Sequence, residues 1–454
     1  MSPAVVKGGG ASVGIIGRRQ RIFFRLVDRL RAVEADRENM VLLKDFNGLI
    51  IRAVIKTERD IIRHKARAKA LKISLRSGRQ TREQSNEIRR QIAATKTRVE
   101  RYEDQMYLWK LFGDSLAHLY LDKFAIKHTF YDTETYTMKP GAGMINGKEG
   151  FIREVGLMLD ALAHDVPAML CDCTNVLRYG DVCLLGNNDP YLIEVKSSNK
   201  LNQRGKRQAA NLARLQDFLD TDKATNFRGN VGEVRRHAIQ IPEIIHVDRL
   251  NEAIDAAALD GGKAVSPERG LNYVALYVGG DQVAISGMVM EPGVMVYDSW
   301  NDAKNGRAWG YYVPFLLTIR DPQRLLDFIE GRLIIMVYLN ADVLVELMTR
   351  SGWKAIFREE GDYAVLCQHI ESGGVIGLSR QMVTRIFFEC SSLEWMARSQ
   401  ILVMEEQWQI AKDLYGPDFP FDQHEHVERS FGVPYDVLMA AFQQAGVNGA
   451  QVAE

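Results

Sequence analysis

Asp181, Glu194 and Lys196 are the residues whose types and spacing could do chemistry together. They flank the stretch Arg178-Tyr179-Gly180-Asp181-Val182-Cys183-Leu184-Leu185-Gly186-Asn187-Asn188-Asp189-Pro190-Tyr191-Leu192-Ile193-Glu194-Val195-Lys196. Apolar runs at 182–185 and 191–195 bracket Gly, Asn, Asn, Asp and Pro, the residues turns favour, so the stretch reads as a β-hairpin. With the turn centred on Asn187-Asn188, Asp181 falls opposite Glu194, and directly opposed residues have Cβ atoms roughly 5 Å apart. Side chains alternate faces along a strand, so Lys196 shares the face of Glu194. Two carboxylates crowded among apolar neighbours are costly unless a cation lies between them. Oxygen-only ligands suit Mg²⁺, with Mn²⁺ as the alternative, and a nearby lysine can then orient or deprotonate a water or stabilise charge on a phosphate. The structural alternative is a lysine–carboxylate cluster with no chemistry.

Gly180-Asp181 followed by Glu194-Val195-Lys196 and Ser197-Ser198 resembles the PD-(D/E)xK nuclease superfamily, the restriction-endonuclease-like fold, over about a hundred residues. Gly180 stands where that family often has Pro. The family core runs helix, three strands, helix, strand, and the chain reads in that order. Spacing predicts a helix over 148–162 from Ile152, Val155, Leu159 and Leu162, a strand over 168–173, the hairpin, a helix over 203–219, and a last strand over 271–278. The resemblance implies Mg²⁺ held by Asp181, Glu194 and the Val195 carbonyl, Lys196 serving the attacking water, Glu154 on the first helix as a further ligand, and Gln208 as the polar residue of the second helix. No Tyr follows Gln208 at the interval one subfamily shows.

These elements sit in a chain of 454 residues, for which about three domains is a soft prior. It is 46% hydrophobic and 26% charged, and Lys plus Arg equals Asp plus Glu at 58 each, so net charge gives no hint of nucleic-acid binding and only local clustering could. The five cysteines read as reduced core residues, with Cys171 and Cys173 sharing a strand face. The N-terminus has no secretory pattern and no apolar run reaches the roughly 20 residues of a membrane span, so a cytoplasmic protein with no membrane partner is expected.

Residues 18–127 lack Pro and are sparse in Gly, with apolar residues at helical spacing (Phe24, Leu26, Val27, Leu30, Val33). Ser77-Gly78-Arg79-Gln80-Thr81 breaks the pattern, and Thr81 with Gln84 makes a capping box, so two long helices fold back as a hairpin or coiled coil with its tip near Gly78. The tip is basic: Arg67, Lys69, Arg76 and Arg79 are the nucleic-acid-binding candidates, a sequence-independent, salt-sensitive grip on phosphates. The alternatives are a solvated face and a homo-oligomer through the arm.

Residues 138–147 read as a linker loop, 259–264 as a loop, 283–299 as two strands around Glu291-Pro292-Gly293, and 311–319 as a strand. Asp321-Pro322 starts a helix through 330. His424-Glu425-His426 lacks the His-Glu-x-x-His spacing and reads as a surface loop. The expected fold is therefore α+β multidomain: a helical arm at 1–127, a restriction-endonuclease-like α/β/α core with a mixed sheet at 128–320 carrying an insertion near 221–268, and a mixed α/β domain at 321–454. The expected function is Mg²⁺-dependent phosphodiester hydrolysis of DNA, with RNA open as a substrate and restriction or phage defence as the setting by analogy. The rival is a catalytically inactive nuclease-fold nucleic-acid-binding protein or a coiled-coil scaffold.

Overall fold

A computed structural model describes residues 14–78, 80–195, 203–230, 232–279, 288–349, 352–370, 373–415, 428 and 430–450. Arg79, Lys196 and the His424-Glu425-His426 cluster lie outside the described residues. The chain divides into two compact units, Met1–Arg236 with Lys304–Gly331, and His237–Ala303 with Arg332–Glu454.

The first unit opens with α1 (Gln20–Ala35), α2 (Met40–Arg76) and α3 (Arg82–Tyr120). The break between α1 and α2 was not expected from the sequence; the Asn39 side chain caps α2 by accepting from the Leu42 amide at 3.1 Å. The hairpin of α2 and α3 turns at Ser77-Gly78 as read, and the Thr81–Gln84 capping box forms with both reciprocal bonds. At the base, α1 buries Phe23, Leu26, Val27, Leu30 and Val33 at helical spacing. Phe23 and Phe46 meet Phe112 edge-to-face at 6.1 and 6.4 Å. Beyond His64 on α2 and before Thr95 on α3 no described residue is buried, so the outer half of the arm is a two-helix layer with polar flanks.

After α4 (Lys123–Phe130), α5 (Phe151–Ala163) precedes β1 (Ala168–Leu170), β2 (Val182–Leu184) and β3 (Tyr191–Ile193), and α6 (Gln203–Thr221) follows. The strands form one antiparallel sheet in the order β1-β2-β3. Helix, three strands, helix thus holds, but the expected mixed sheet does not: every strand pairing among the described residues is antiparallel. β1 ends early because Cys171–Cys173 form a 3-10 turn, so the two cysteines do not share a strand face. β4 (Lys223–Thr225) and β5 (Glu233–Arg235) pair only with each other.

The expected last strand of the core belongs elsewhere. α7 (Val247–Asp260) is followed by β6 (Gly262–Glu268), where a loop was read, and by β7 (Leu271–Tyr277). With β8 (Met295–Ser299) and β9 (Leu333–Asn340), these make an antiparallel sheet in the order β6-β7-β9-β8 in the second unit. β7 pairs along its whole length with β9, from Leu271↔Leu339 to Tyr277↔Leu333. Residues 280–287, the first half of the expected strand pair, lie outside the described residues.

α8 (Trp300–Asn305) is followed by α9 (Phe315–Thr318), not the strand read from its apolar run, and by α10 (Pro322–Ile329), capped by Asp321 as expected. Within the first unit, Arg31 of α1 donates to the Leu316 and Ile319 carbonyls, at 2.9 Å each. Arg307 reaches Asp104 of α3 at 2.7 Å. In the second unit, α11 (Ala341–Thr349) leads to an antiparallel sheet of β10 (Trp353–Phe357), β11 (Tyr363–His369) and β12 (Val375–Ser379), then α12 (Arg380–Glu389), α13 (Leu393–Tyr415) and α14 (Tyr435–Ala450). Among the described residues no helix is long and apolar enough to cross a membrane.

Candidate active site

The hairpin takes the register read from its turn, with Val182 opposite Ile193 and Leu184 opposite Tyr191. Asp181 lies one residue beyond, where its amide donates to the Ile193 carbonyl at 2.8 Å and its carbonyl accepts from the Cys171 amide at 2.9 Å. Its backbone therefore ties all three strands at one end of the sheet. Gly180 precedes it with φ +67°, and a Cβ there would stand 3.0 Å from the Ile193 carbonyl oxygen. Proline, locked near φ −65°, cannot take that conformation, which accounts for glycine where the resembling family often has proline.

The Lys148 ammonium is the centre of the cluster. It binds Asp181 at 2.8 Å, Asp172 at 2.9 Å and Glu154 at 3.0 Å. Each partner comes from a different element: Glu154 from the first turn of α5, Asp172 from the 3-10 turn after β1, Asp181 from the start of β2. The helical base fixes these pieces. Glu58 of α2, itself buried, accepts from the Ile145 and Asn146 amides at 2.8 and 2.7 Å and so holds the loop that carries Lys148. Gly113 of α3 lets the helix press against the 3-10 turn; a Cβ there would lie 2.1 Å from the Cys173 carbonyl oxygen. Next to it, Asp114 receives the Asn175 amide at 2.6 Å and the Asn175 side chain at 2.7 Å. Asp181 in turn receives the Val195 amide at 2.7 Å.

Burial alone would lower the Lys148 pKa, but the hydrogen bonds it donates to Asp181, Asp172 and Glu154 outweigh it and hold the ammonium far above the ordinary lysine range. Burial raises the Glu154 carboxyl; the bond from Lys148 opposes this and the Asp181 charge adds to it. Three carboxylates around one ammonium leave two formal negative charges uncompensated within the cluster.

The cluster opens on a cleft of about 680 Å³. Glu194 lines it beside Asp181, and Arg207, Gln208 and Asn211 of α6 line it as well. Lys139 lies on its wall with the ammonium 3.2 Å from the centre of the Tyr179 ring. Burial pushes Lys139 down to about 8 against the pull of Asp132 and Glu194.

Among the residues read as a site, Glu154 and Asp181 share a cation, while Glu194 and Gln208 line the same cleft. Val195 touches the site through its amide, and Lys196 lies outside the described residues. Glu154 is not a solvated helix carboxylate: it is 2% exposed, whereas Ile152, read as part of the apolar face, is 84% exposed. The buried face of α5 is Glu154, Met158 and Leu162. Arg67, Lys69 and Arg76 are exposed on the outer half of α2, away from any buried layer. Sequence reading missed Lys148, Asp172 and Lys139. The one available signal was a lysine and an acid inside otherwise apolar or glycine-rich loops.

A divalent metal was expected here. Among the described residues no group of three or more His, Cys, Asp or Glu is already arranged as a metal set. The carboxylate oxygens stand 2.8–3.0 Å from a common nitrogen, spacing set by an ammonium, whereas Mg²⁺ takes oxygens at about 2.0–2.1 Å. The donors fit the ion in chemistry: all are hard oxygens, and their charge exceeds what Lys148 neutralises. Comparison of the chain with protein-family models, curated proteins and solved structures returns no match.

Proposed function

We propose that the protein is a metal-dependent nuclease of the PD-(D/E)xK type that hydrolyses phosphodiester bonds of DNA in the cytoplasm. The observation that carries this reading is the convergence of Glu154, Asp172 and Asp181 on one cation at the edge of a cleft lined by Glu194 and by cationic and amide side chains. Mg²⁺ or Mn²⁺ bound there would offset charge on the scissile phosphate and acidify the attacking water. Asp181, Glu194 and Glu154 would hold it, with the Val195 carbonyl by the resemblance, and Asp172 reaches the same point. Lys196 serves the attacking water by the same resemblance. Lys139, Arg207 and Gln208 offer donors to the substrate backbone, the preorganised electrostatics that phosphoryl chemistry depends on. The exposed cations of the arm, Arg67, Lys69 and Arg76, together with Arg79 of the same stretch, would grip flanking duplex.

A second reading has its own observation. Lys148 bridges all three carboxylates with no metal needed to hold them together, as it would in a catalytically inactive nuclease-fold scaffold that binds nucleic acid or pairs through its arm. Incubating the purified chain with plasmid, linear and single-stranded DNA and with RNA, with Mg²⁺ or with EDTA, separates the two. Metal-dependent cleavage that vanishes in both Asp181→Ala and Glu194→Ala establishes the nuclease; binding without cleavage under every condition establishes the scaffold.

A further inference from the structure

A second cationic site lies on the helical base. Arg21 and Arg25 stand one turn apart at the start of α1, and Arg52 and Lys56 one turn apart on α2; all four line a groove of about 280 Å³. Like charges at such spacing repel, at a cost of a few tenths of a kcal/mol per pair. None of the four has a carboxylate partner among the described residues, although ion pairs are plentiful nearby: Arg29 holds Asp45, and Arg19 and Arg63 share Asp60. α1 also begins with no acidic residue in its first turn and no side-chain cap, so the positive end of its dipole is uncompensated at the same place. The floor of the groove is apolar, made by Ile22, Leu49 and Ala53 over the buried Trp109.

We infer that this groove binds a nucleotide, with its phosphates on the four cations and its base on the apolar floor. Four cations with no carboxylate partner among the described residues exceed the charge of a single carboxylate or monoanion and match a chain of phosphates. An apolar floor contributes nothing to a bare inorganic anion but does favour a heteroaromatic ring. At about 280 Å³ the groove is just below the range of enclosed small-molecule sites, about 300–1,000 Å³, so it seats part of one nucleotide and leaves the rest in solvent. The nucleotide has two sources, a free nucleoside polyphosphate or the phosphorylated end of a strand. The inference does not depend on the nuclease reading.

The test is calorimetric titration of the full chain in EDTA, which removes any metal-dependent cleavage from the measurement. The ligands are ATP, adenosine, inorganic triphosphate, and a thymidine tetranucleotide with and without a 5′-phosphate. ATP should bind, adenosine should not, and inorganic triphosphate should bind at least about tenfold more weakly than ATP, the equivalent of one ring's worth of apolar contact. The triple variant Arg25→Gln, Arg52→Gln, Lys56→Gln should keep the wild-type melting temperature, since Gln is nearly as good a helix former, and should lose at least about tenfold in ATP affinity. If the 5′-phosphorylated tetranucleotide binds, is displaced by ATP and outbinds its 5′-hydroxyl twin, the strand end is the source; if ATP alone binds, the free nucleotide is. Wild-type ATP affinity in the folded triple variant overturns the site, and so does triphosphate binding as tightly as ATP.

Discussion

Lys148 is a single side chain on which the cluster of carboxylates depends. Replacing it with Met leaves Glu154, Asp172 and Asp181 facing one another, of which Glu154 is 2% exposed while the Asp172 and Asp181 side chains are 11% and 13% exposed. That crowding should cost about 2–3 kcal/mol in metal-free buffer, below the full penalty of a buried unpaired charge because water reaches part of the cluster. Millimolar Mg²⁺ should then raise the melting temperature of Lys148→Met more than that of the wild type. Equal shifts in the two proteins would leave the cluster a plain ion-pair device. Asp114 makes a different pH prediction. Burial pushes its carboxyl from 3.8 up to about 7 despite the donors from Asn175 and Val176, so between those values the folded state holds a proton that the unfolded state has released. Stability contributed by this group is therefore present in acid and is lost as pH rises through the interval, by up to about 1.4 kcal/mol per unit. Melting curves from pH 5 to 7 should show this decline in the wild type and a flatter profile in Asp114→Asn. Asp181 and Glu194 were legible in sequence because a hairpin register follows from its turn residues. Lys148 and Asp172 were not, because a loop and a 3-10 turn have no periodicity to betray where a side chain goes. Glu154 was legible as a residue but not as a buried one, since Ile152 and Leu159 imitate an apolar face that the helix in fact leaves exposed.

Two elements carry sharp tests. Gly180 combines φ +67° with a close carbonyl, so Gly180→Ala strains both its own backbone and the β2–β3 ladder. A loss of about 1–3 kcal/mol is expected, read as a lower denaturant midpoint, together with loss of any metal-dependent cleavage as Asp181 shifts. Unchanged stability would mean that the turn accommodates a side chain by moving. The arm is tested by changing Arg67, Lys69, Arg76 and Arg79 to Gln. On duplex DNA each phosphate contact contributes roughly 0.9 to the slope of log affinity against log salt, so the variant should bind more weakly and with a flatter slope. If the arm instead joins two copies, the salt slope will stay as it was and the sedimentation mass will be that of a dimer; Leu49 and Val54, buried within one copy at the base, cannot make that contact. The hairpin itself was readable because Thr81 and Gln84 announce the start of α3. The break at Asp36–Asn39 was not, since Arg37 and Glu38 are ordinary helix formers and only Asn39 hints at a cap. The apolar run at 311–319 passes for a strand, but Pro314, which has no amide to donate to a ladder, stands in its middle as the N-cap of α9.

At the scale of the molecule the chain interleaves its two units, and the strand pairing of β7 with β9 across some sixty residues left no mark that sequence order could supply. Residues 304–331 belong to the same unit as everything up to Arg236, so a fragment ending at Arg236 should fail to fold. It would lack Trp309, Phe315, Leu316, Ile319 and Phe328, all fully buried, each worth about 1.5–3 kcal/mol. It would also strip Arg31 of both carbonyl partners. A near-ultraviolet circular dichroism spectrum with native intensity from that fragment would show that the first unit is complete without them. The same interleaving sets a clock during synthesis. At about 5–20 residues per second, the stretch from His237 to Gly331 takes on the order of five to twenty seconds to emerge. Throughout that interval α1 and α3 wait on the ribosome with an uncovered apolar flank, and the cleft around Lys148 belongs to a nascent chain that has not yet received its last packing segment. A cell making this protein therefore has a window in which the carboxylate cluster exists as sequence but not yet as a site, and chaperone occupancy on stalled nascent chains should peak between those two lengths and fall once Gly331 has cleared the exit tunnel.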